Sequence, residues 1–245
     1  MKGVILTRAP AARIIDLSHA IPPQDIVAGA YALRSATPYF PPGTIHVAVV
    51  DPGVGTRRRA LLVETRDAFL IGPDNGLLGL AAPARQVVRT FDVSRSPVRR
   101  RPVSRTFHGR DVFAPVAAAL ANGAVPADLG TPTAPMQRLR LSAPSRRGPT
   151  IVGRVLWIDH FGNVITNIAR THLDHTAFRG RRVSVRIGDH VLRLRSSYTS
   201  GPAGKPLALV NSLDLIEIAL PHGSAAATLG IERGARVVVE APEAT

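Results

Sequence analysis

The sequence predicts an α/β N-terminal domain followed by a C-terminal all-β domain. Helix-like and strand-like apolar patterns alternate from residue 1 to about residue 141, which is typical of an α/β layer structure. A polar, turn-rich stretch follows at Ser142–Pro149, and beyond it the patterns are almost entirely those of short strands. We therefore expect two domains, residues 1–141 and 150–245.

Helices and strands are both expected in the N-terminal domain, and four segments serve as examples. Apolar and Ala-rich runs predict helices at Ile26–Leu33 and Val112–Ala121. Runs of branched and apolar residues predict strands at Ile45–Val50 and Ala60–Glu64. Pro and Gly residues lie between these elements and indicate turns.

The C-terminal domain begins after Ser142–Pro149, which we interpret as a linker because it has no apolar periodicity. Arg182–Ile187 and Val191–Arg195 alternate in polarity around Gly188-Asp189-His190, a pattern that predicts a hairpin. Further strands are expected at Thr150–Asp159, Pro206–Asn211, Leu215–Leu220 and Ala235–Glu240. Many short strands and few helices predict a small antiparallel barrel or sandwich.

The net charge of +14 raises a nucleic-acid hypothesis. The 31 basic residues are spread over the whole chain, however, and aromatic residues suitable for base stacking make up only 4% of it. The densest run, Arg95–Arg105, is interrupted by two prolines. A basic nucleic-acid-binding protein is therefore the less favoured alternative.

Composition also excludes several chemistries. The chain has no cysteine, which rules out disulfides, thiolate metal sites and cysteine nucleophiles. No apolar run approaches the roughly 20 residues that cross a bilayer, and the N-terminus meets Pro10 and Arg13 before a signal-length stretch develops. We expect a soluble, cytoplasmic protein.

The segment Val50–Thr56 contains the first candidate site residue, Asp51. It directly follows a predicted strand, and open α/β sheets place their ligands at that end of a strand. Arg58 and its two arginine neighbours follow closely, and an arginine beside Asp51 would keep the carboxylate ionised. A simple turn cap and a solvated bend are the alternatives.

The segment Thr106–Asp111 contains the second candidate, His108. An imidazole titrates near neutral pH and is a candidate proton acceptor, and Gly109 leaves space beside it. A surface histidine is the alternative. Gly72–Leu78 contains Pro-Asp-Asn-Gly, which favours a turn.

Two C-terminal segments carry polar groups suited to ligand recognition. Ile158–Asn167 combines an acid, Asp159, with an aromatic face and amides that can pair with a purine edge. Asn211–Ala219 offers a hydroxyl beside an apolar strand. The pair of histidines in His172–His175 lacks the spacing and the fourth ligand of a metal site, so no metal is expected.

Phosphate-binding and dinucleotide-binding glycine motifs and the Gly-x-Ser-x-Gly motif are absent from the sequence. Six motifs are present in a fixed order: Ile14–His19, Asp51–Thr56, Gly72–Leu78, Thr106–Asp111, Asp159–Ile168 and Asn211–Ala219. In this order they resemble the SAM hydroxide adenosyltransferase family, which hydrolyses S-adenosyl-L-methionine (SAM) and is related to the fluorinating and chlorinating SAM enzymes. The resemblance extends from Met1 to about Glu240.

The resemblance implies an α/β domain joined to a C-terminal β-barrel and a homotrimer with SAM sites between subunits. It assigns Asp51, Arg58 and His108 to the acid, arginine and histidine that prepare the attacking water. The implied reaction yields adenosine and L-methionine by displacement at the ribose 5′ carbon. SAM is itself a strong electrophile, so no cofactor or metal is implied.

The same resemblance implies the substrate contacts. Asn163 would bind the adenine edge, Phe161 the nucleoside, and Asp159 with Ser212 the methionine end. Phe107 and Gly109 would line the site beside the histidine.

The charge of residue 51 distinguishes water from halide as the nucleophile. The halogenating relatives have a Tyr where Asp51 stands and a Ser where Gly109 stands. An anionic carboxylate repels a halide but accepts a hydrogen bond from water. The sequence therefore favours hydrolysis.

Several departures from the family pattern are expected to matter. The chain starts inside that pattern, which implies that the first strand and an acidic ribose contact are missing. Leu213 and Pro221 stand where the fluorinating enzymes carry Arg and Asn. An impaired hydrolase, or a non-catalytic protein that binds SAM or adenosine, is the alternative to full activity.

Overall fold

The computed structural model describes residues 1–175, 178 and 181–241. The chain divides into two compact units, Met1–Leu139 and Arg140–Thr245. No helix among the described residues is long and apolar enough to span a membrane.

Four α-helices belong to the first unit: α1 Lys2–Arg8, α2 Ile26–Ala36, α3 Ala114–Ala121 and α4 Pro126–Leu129. The helix predicted at Ile26–Leu33 is confirmed and continues to Ala36. It begins at Asp25, whose Oδ1 accepts a hydrogen bond from the Ala28 amide at 3.0 Å. The helix predicted from Val112 instead starts at Ala114, because a π-helical turn occupies Gly109–Phe113.

The sheet of the first unit has five strands: β1 Thr44–Val47, β2 Ala60–Thr65, β3 Ala68–Pro73, β4 Val87–Asp92 and β5 Thr131–Pro132. They lie in the order β1-β3-β2-β4-β5, with β1 parallel to β3 and the other neighbours antiparallel. Leu62 and Phe113 belong to one buried cluster, and Leu61 and Leu33 belong to another. The first cluster joins the sheet to the residues around α3 and the second joins it to α2, so the α/β prediction is confirmed.

In the described residues of the second unit there are eight strands and two short α-helices, α5 Arg170–Leu173 and α6 Ala225–Leu229. The strands are β6 Ser145–Arg147, β7 Thr150–Ile158, β8 Val164–Ala169, β9 Ser184–Ile187, β10 His190–Arg195, β11 Leu207–Val210, β12 Leu215–Ala219 and β13 Arg236–Glu240. Their order is β13-β9-β10-β11-β12-β8-β7-β6, and β13 also pairs with β7. That pairing closes seven strands into a barrel, which confirms the β-barrel prediction.

The hairpin predicted around Gly188 is confirmed. His190 of β10 pairs with Ile187 of β9, and Gly188 adopts a positive φ of 53° in the turn, a conformation that glycine reaches without steric cost. Each of the seven barrel strands contributes buried apolar side chains to the core, among them Ile151, Ile187, Ile216 and Val237.

Two expectations for this unit are corrected. The barrel is not wholly antiparallel, since β10 and β11 are parallel; parallel neighbours need a crossover rather than a tight turn, and the residues between Arg195 and Leu207 supply it. The segment Ser142–Pro149 is not purely a linker, because β6 pairs with the start of β7. Gly148, with a φ of 55°, makes that turn.

Candidate active site

Asp51 lies at the end of the chain segment that continues β1. The Ala48 amide still donates to the Ile71 carbonyl at 3.0 Å, and Asn75 Nδ2 donates to the Val50 carbonyl at 2.8 Å. The turn Gly72–Leu78 therefore supports the backbone that carries Asp51, in agreement with its interpretation as a turn.

The loop after Asp51 approaches the loop before His108 closely. Gly55 has a φ of 78°, and a Cβ there would lie 2.4 Å from the Arg105 carbonyl oxygen. Any other residue would separate the two loops. The glycine motif next to Asp51 thus serves the contact between distant chain segments.

Arg58 links the acid and the imidazole. Its Nε donates to Asp51 Oδ1 at 2.9 Å, and its Nη2 donates to Asp51 Oδ2. The same Nη2 lies 2.9 Å from His108 Nδ1. The guanidinium stands over the ring of Phe113, with 5.5 Å between its Cζ and the ring centroid, a favourable cation–π geometry.

This cluster is largely shielded from solvent. The side chains of Arg58 and Asp51 are 9% and 5% exposed. Charge-assisted bidentate hydrogen bonds are strong in such surroundings, so the structure brings Asp51, Arg58 and His108 together as one unit. We refer to these three residues as the acid–arginine–histidine cluster.

The contact with Arg58 fixes the protonation of His108. A guanidinium has no acceptor atom, so His108 Nδ1 must be the acceptor and a neutral ring carries its proton on Nε2. Burial lowers the pKa of His108, and the positive charge of Arg58 lowers it further. The ring is therefore neutral near pH 7, and its Nε2 is a hydrogen-bond donor rather than the proton acceptor that the sequence suggested.

Asp111 anchors the π-helical turn that begins after His108. It is 1% exposed, accepts two hydrogen bonds from Arg110 and one from the Ser104 amide, and lies 3.6 Å from Arg100. The Arg110 hydrogen bond is the main reason why the pKa of Asp111 falls to about 2. Sequence reasoning did not identify Asp111 or Phe113 as supporting residues, although both lie close to His108 in sequence.

Two further candidates flank His108. Phe107 is 59% exposed, and the Arg110 guanidinium lies 5.2 Å from its ring centroid. A Cβ on Gly109 would lie 3.0 Å from the Met1 sulfur, so the small residue leaves room for that side chain.

Asp159, Phe161 and Asn163 form a second group, in the turn between β7 and β8. Asp159 Oδ1 accepts the amides of Phe161 and Asn163 at 2.9 and 2.8 Å, and Asp159 Oδ2 accepts Asn163 Nδ2 at 2.9 Å. The Phe161 ring is 73% exposed. Asn163 therefore directs its NH₂ group toward Asp159 and its side-chain carbonyl oxygen away from that carboxylate.

Ser212 lies exposed in the turn between β11 and β12. Asn211 Oδ1 accepts the Leu213 and Leu215 amides at 3.0 and 3.1 Å and shapes this turn. Behind it lies Glu217, buried and bonded to Tyr198 and Asn211. Sequence reasoning missed Glu217 and Tyr198, though a Glu in an apolar strand was an available signal.

Among the residues that the structure describes, no three His, Asp or Glu side chains come together as metal ligands. His172 instead bonds locally, with its Nδ1 accepting the Ala169 amide at 2.9 Å.

An α/β unit that carries the acid–arginine–histidine cluster, followed by a closed barrel, defines a two-domain architecture with a solvent-shielded polar site in its first domain. The SAM hydroxide adenosyltransferase N-terminal domain matches residues 1–130 and the C-terminal domain of that name matches residues 153–238. The chain belongs to the SAM hydroxide adenosyltransferase family.

Individual relatives agree with this assignment. An (R)-S-adenosyl-L-methionine hydrolase of Thermus thermophilus is 42% identical, over 96% of this chain and 90% of its own. A fluorinase of Actinoplanes is 26% identical, over 97% and 91%. A crystal structure of an uncharacterized conserved protein from Thermotoga maritima superposes with a TM-score of 0.87 at 32% identity, covering 97% of this chain and 92% of that one.

Proposed function

We propose that this chain hydrolyses SAM to adenosine and L-methionine. The observation that carries the proposal is the single guanidinium of Arg58 that bonds both Asp51 and His108. It sets a carboxylate acceptor and an imidazole donor beside each other. One water molecule between such groups is oriented by donating to the first and accepting from the second.

In the reaction, the water oxygen attacks the ribose 5′ carbon of SAM. The C–O bond forms as the C–S bond breaks, the C–S electron pair returns to sulfur, and methionine leaves as a neutral thioether. Asp51 accepts first a hydrogen bond and then the proton that the attacking water loses, and His108 Nε2 donates a hydrogen bond to the water oxygen. Holding reactants in line accounts for up to roughly 7–11 kcal/mol of a barrier.

The charge of the site favours water over halide. A carboxylate held at the reacting position repels an anion, whereas it accepts a hydrogen bond from a neutral nucleophile. Because the sulfur of SAM is already a sulfonium and leaves as a neutral thioether, the residues need no metal or redox cofactor for this step.

The remaining candidates are proposed to bind substrate. Asn163 and Phe161 contact the nucleoside, and Phe107 and Gly109 line the site near His108. Asp159 and Ser212 bind the ammonium and carboxylate of the methionine end. The resemblance to the family further supports a homotrimer, which light scattering would detect as a mass of about 78 kDa, three times the 26.0 kDa of one chain. A cytoplasmic location stays a prediction.

Isotope labelling tests the proposed function. Purified protein is incubated with SAM in H₂¹⁸O, and we expect adenosine that carries ¹⁸O at the 5′ oxygen, together with unlabelled methionine. The variant Asp51→Asn keeps the shape but is a poor acceptor, and its kcat should fall by about 10²–10⁴-fold.

Failure of adenosine to form above the level of the Asp51→Asn variant would contradict the proposal. Calorimetric binding of SAM or adenosine without turnover would indicate a non-catalytic binding protein. Affinity for DNA that falls steeply with salt, without SAM binding, would instead favour the nucleic-acid hypothesis.

A further inference from the structure

Strand β12 contains a buried acid in an apolar setting. All five of its residues are buried, and Ile216 and Ile218 belong to the barrel core. Glu217 between them points to the opposite face, because side chains alternate along a strand, and it is only 4% exposed. A buried carboxylate is costly unless its oxygens are satisfied.

Neutral groups satisfy this carboxylate. Tyr198 Oη donates to Oε1 at 2.8 Å, and Asn211 Nδ2 donates to Oε2 at 3.1 Å. Within the described ranges, Glu217 forms no ion pair with Arg, Lys or His. Burial raises the pKa of Glu217, and the negative charge of Asp159 raises it further. The protein thus keeps an acid here at a cost that an apolar residue would avoid.

The acid determines which way the Asn211 amide faces. A carboxylate only accepts hydrogen bonds, so the NH₂ group of Asn211 must point toward Glu217 and its carbonyl oxygen toward the turn. That oxygen accepts hydrogen bonds from the backbone amides of Leu213 and Leu215. The backbone amide of Asn211 donates to the Leu215 carbonyl at 2.9 Å. Two residues of this turn are exposed, Ser212 and Asp214, and Ser212 lies between Asn211 and the Leu213 amide that Asn211 Oδ1 accepts.

We propose that Glu217 is a positioning residue that sets the Asn211–Leu215 turn and thereby the affinity for the α-amino-acid end of SAM. This inference rests on the proposed function, in which Ser212 binds the methionine end. Glu217 acts through Asn211, because both of its oxygens are already bonded inside the protein. The negative charges of Glu217 and Asp159 also favour a ligand that carries an ammonium group.

Steady-state kinetics with a pair of variants test the inference. Glu217→Leu removes the acceptor of Asn211, whereas Glu217→Gln retains one oxygen for Asn211 and offers an NH₂ donor to Tyr198 Oη. We expect KM for SAM to rise about 10-fold in the Leu variant, because the part-buried Asn211 side chain loses its acceptor and no longer holds the turn. The Tyr198 hydroxyl loses its acceptor too, and Tyr198→Phe separates that effect. The kcat of Glu217→Leu should stay within about threefold of that of the unmodified protein. The KM of Glu217→Gln should be close to that of the unmodified protein.

A calorimetric comparison localises the effect. Methionine should bind about 10-fold more weakly to Glu217→Leu, in line with the loss of the part-buried hydrogen bond from Asn211 to Glu217, while adenosine affinity stays the same. Tyr198→Phe removes the other donor to Glu217 and leaves the link to Asn211, so it should leave methionine affinity nearly unchanged.

Amide hydrogen exchange supplies a readout that is independent of catalysis. The Leu213 and Leu215 amides should exchange faster in Glu217→Leu than in the unmodified protein. Amides of the barrel core should exchange at the same rate in both. If that variant does not fold, Asn211→Asp provides the same test, because it keeps the oxygen that faces the turn but cannot donate to Glu217.

Unchanged methionine affinity and unchanged exchange of these two amides in a folded variant would overturn the inference. Absence of SAM hydrolysis by the unmodified protein would contradict the proposed function instead. In that case the exchange of the Leu213 and Leu215 amides still decides whether Glu217 sets the turn.

Discussion

The two units each bury a carboxylate, but they stabilise it in different ways. Asp111 in the first unit and Glu217 in the second are 1% and 4% exposed. Asp111 lies beside the guanidinium groups of Arg110 and Arg100. Glu217 receives only the neutral donors Tyr198 and Asn211 among the described residues.

The pKa values of the two acids move in opposite directions as a result. The hydrogen bonds and charge of Arg110 lower the pKa of Asp111 to about 2, whereas burial raises the pKa of Glu217. Burial alone therefore does not determine how an acid titrates; the charge of its partner does.

The same difference separates the two groups of candidate site residues. In the first unit, Arg58 links the carboxylate group of Asp51 to a neutral imidazole, an arrangement suited to proton chemistry. In the second unit, amides and hydroxyls shape turns that present Asn163, Phe161 and Ser212, an arrangement suited to recognition. Three variants test this division between charge and shape.

The largest effect is expected from Arg58→Lys. A single ammonium lacks the planar fork that reaches both oxygens of Asp51 and also His108. We expect kcat for adenosine formation to fall by about 10²-fold, the lower range of what a positioned proton acceptor contributes. Adenosine release measured by chromatography gives the rate.

Arg57→Lys is the matched control, since Arg57 is the exposed neighbour of Arg58. Its kcat should match that of the unmodified protein. If Arg58→Lys and Arg57→Lys had equal kcat values, a positive charge at position 58 would be enough for activity and the planar guanidinium would not be needed.

A smaller effect, on stability, is expected from Asp111→Asn. The pKa of Asp111 is lowered from 3.8 to about 2, so its ionised form stabilises the fold above pH 3.8 and this contribution disappears as the pH falls toward 2. Arg110 is 42% exposed, so solvent screens part of the interaction, and we expect a loss of about 1–2 kcal/mol at pH 7.

Urea unfolding at several pH values measures this loss, with the exposed Asp128→Asn as control. The two variants should differ at pH 7 and converge with the unmodified protein near pH 2. A difference that persists at pH 2 would show that packing, and not charge, is responsible.

The smallest effect is expected from Glu217→Gln, and its sign is opposite. Because the folded-state pKa of Glu217 is raised above 4.5, its contribution to stability is present below pH 4.5 and is lost as the pH rises through the folded-state pKa. The neutral Gln variant should lose less stability than the unmodified protein between pH 4 and pH 8. If the free energy of unfolding of both proteins changed equally with pH, Glu217 would not differ from Asp111 in the way proposed.

Local patterns in the sequence predicted much of the fold. The α2 helix, the β2 strand and the Gly188 hairpin follow from periodicities and turn residues that act within a few positions. Closure of the barrel by β13 and β7 pairs residues more than 80 positions apart, and the residues alone left a barrel and a sandwich open. The resemblance to the family, and not the strand pattern, favoured the barrel.

The sequence by itself determined the order of the two domains, the short strands of the second, and the loops that carry Asp51, His108 and Asp159. The resemblance to the family singled out Arg58 among three adjacent arginines. Only the tertiary structure showed that Arg58 bonds both Asp51 and His108 and that Glu217 lies behind the Asn211 turn. The physical reason is distance along the chain. Periodicity and turn chemistry act over a few residues, whereas a hydrogen bond across 50 residues, such as that between Arg58 and His108, depends on the path of the whole backbone.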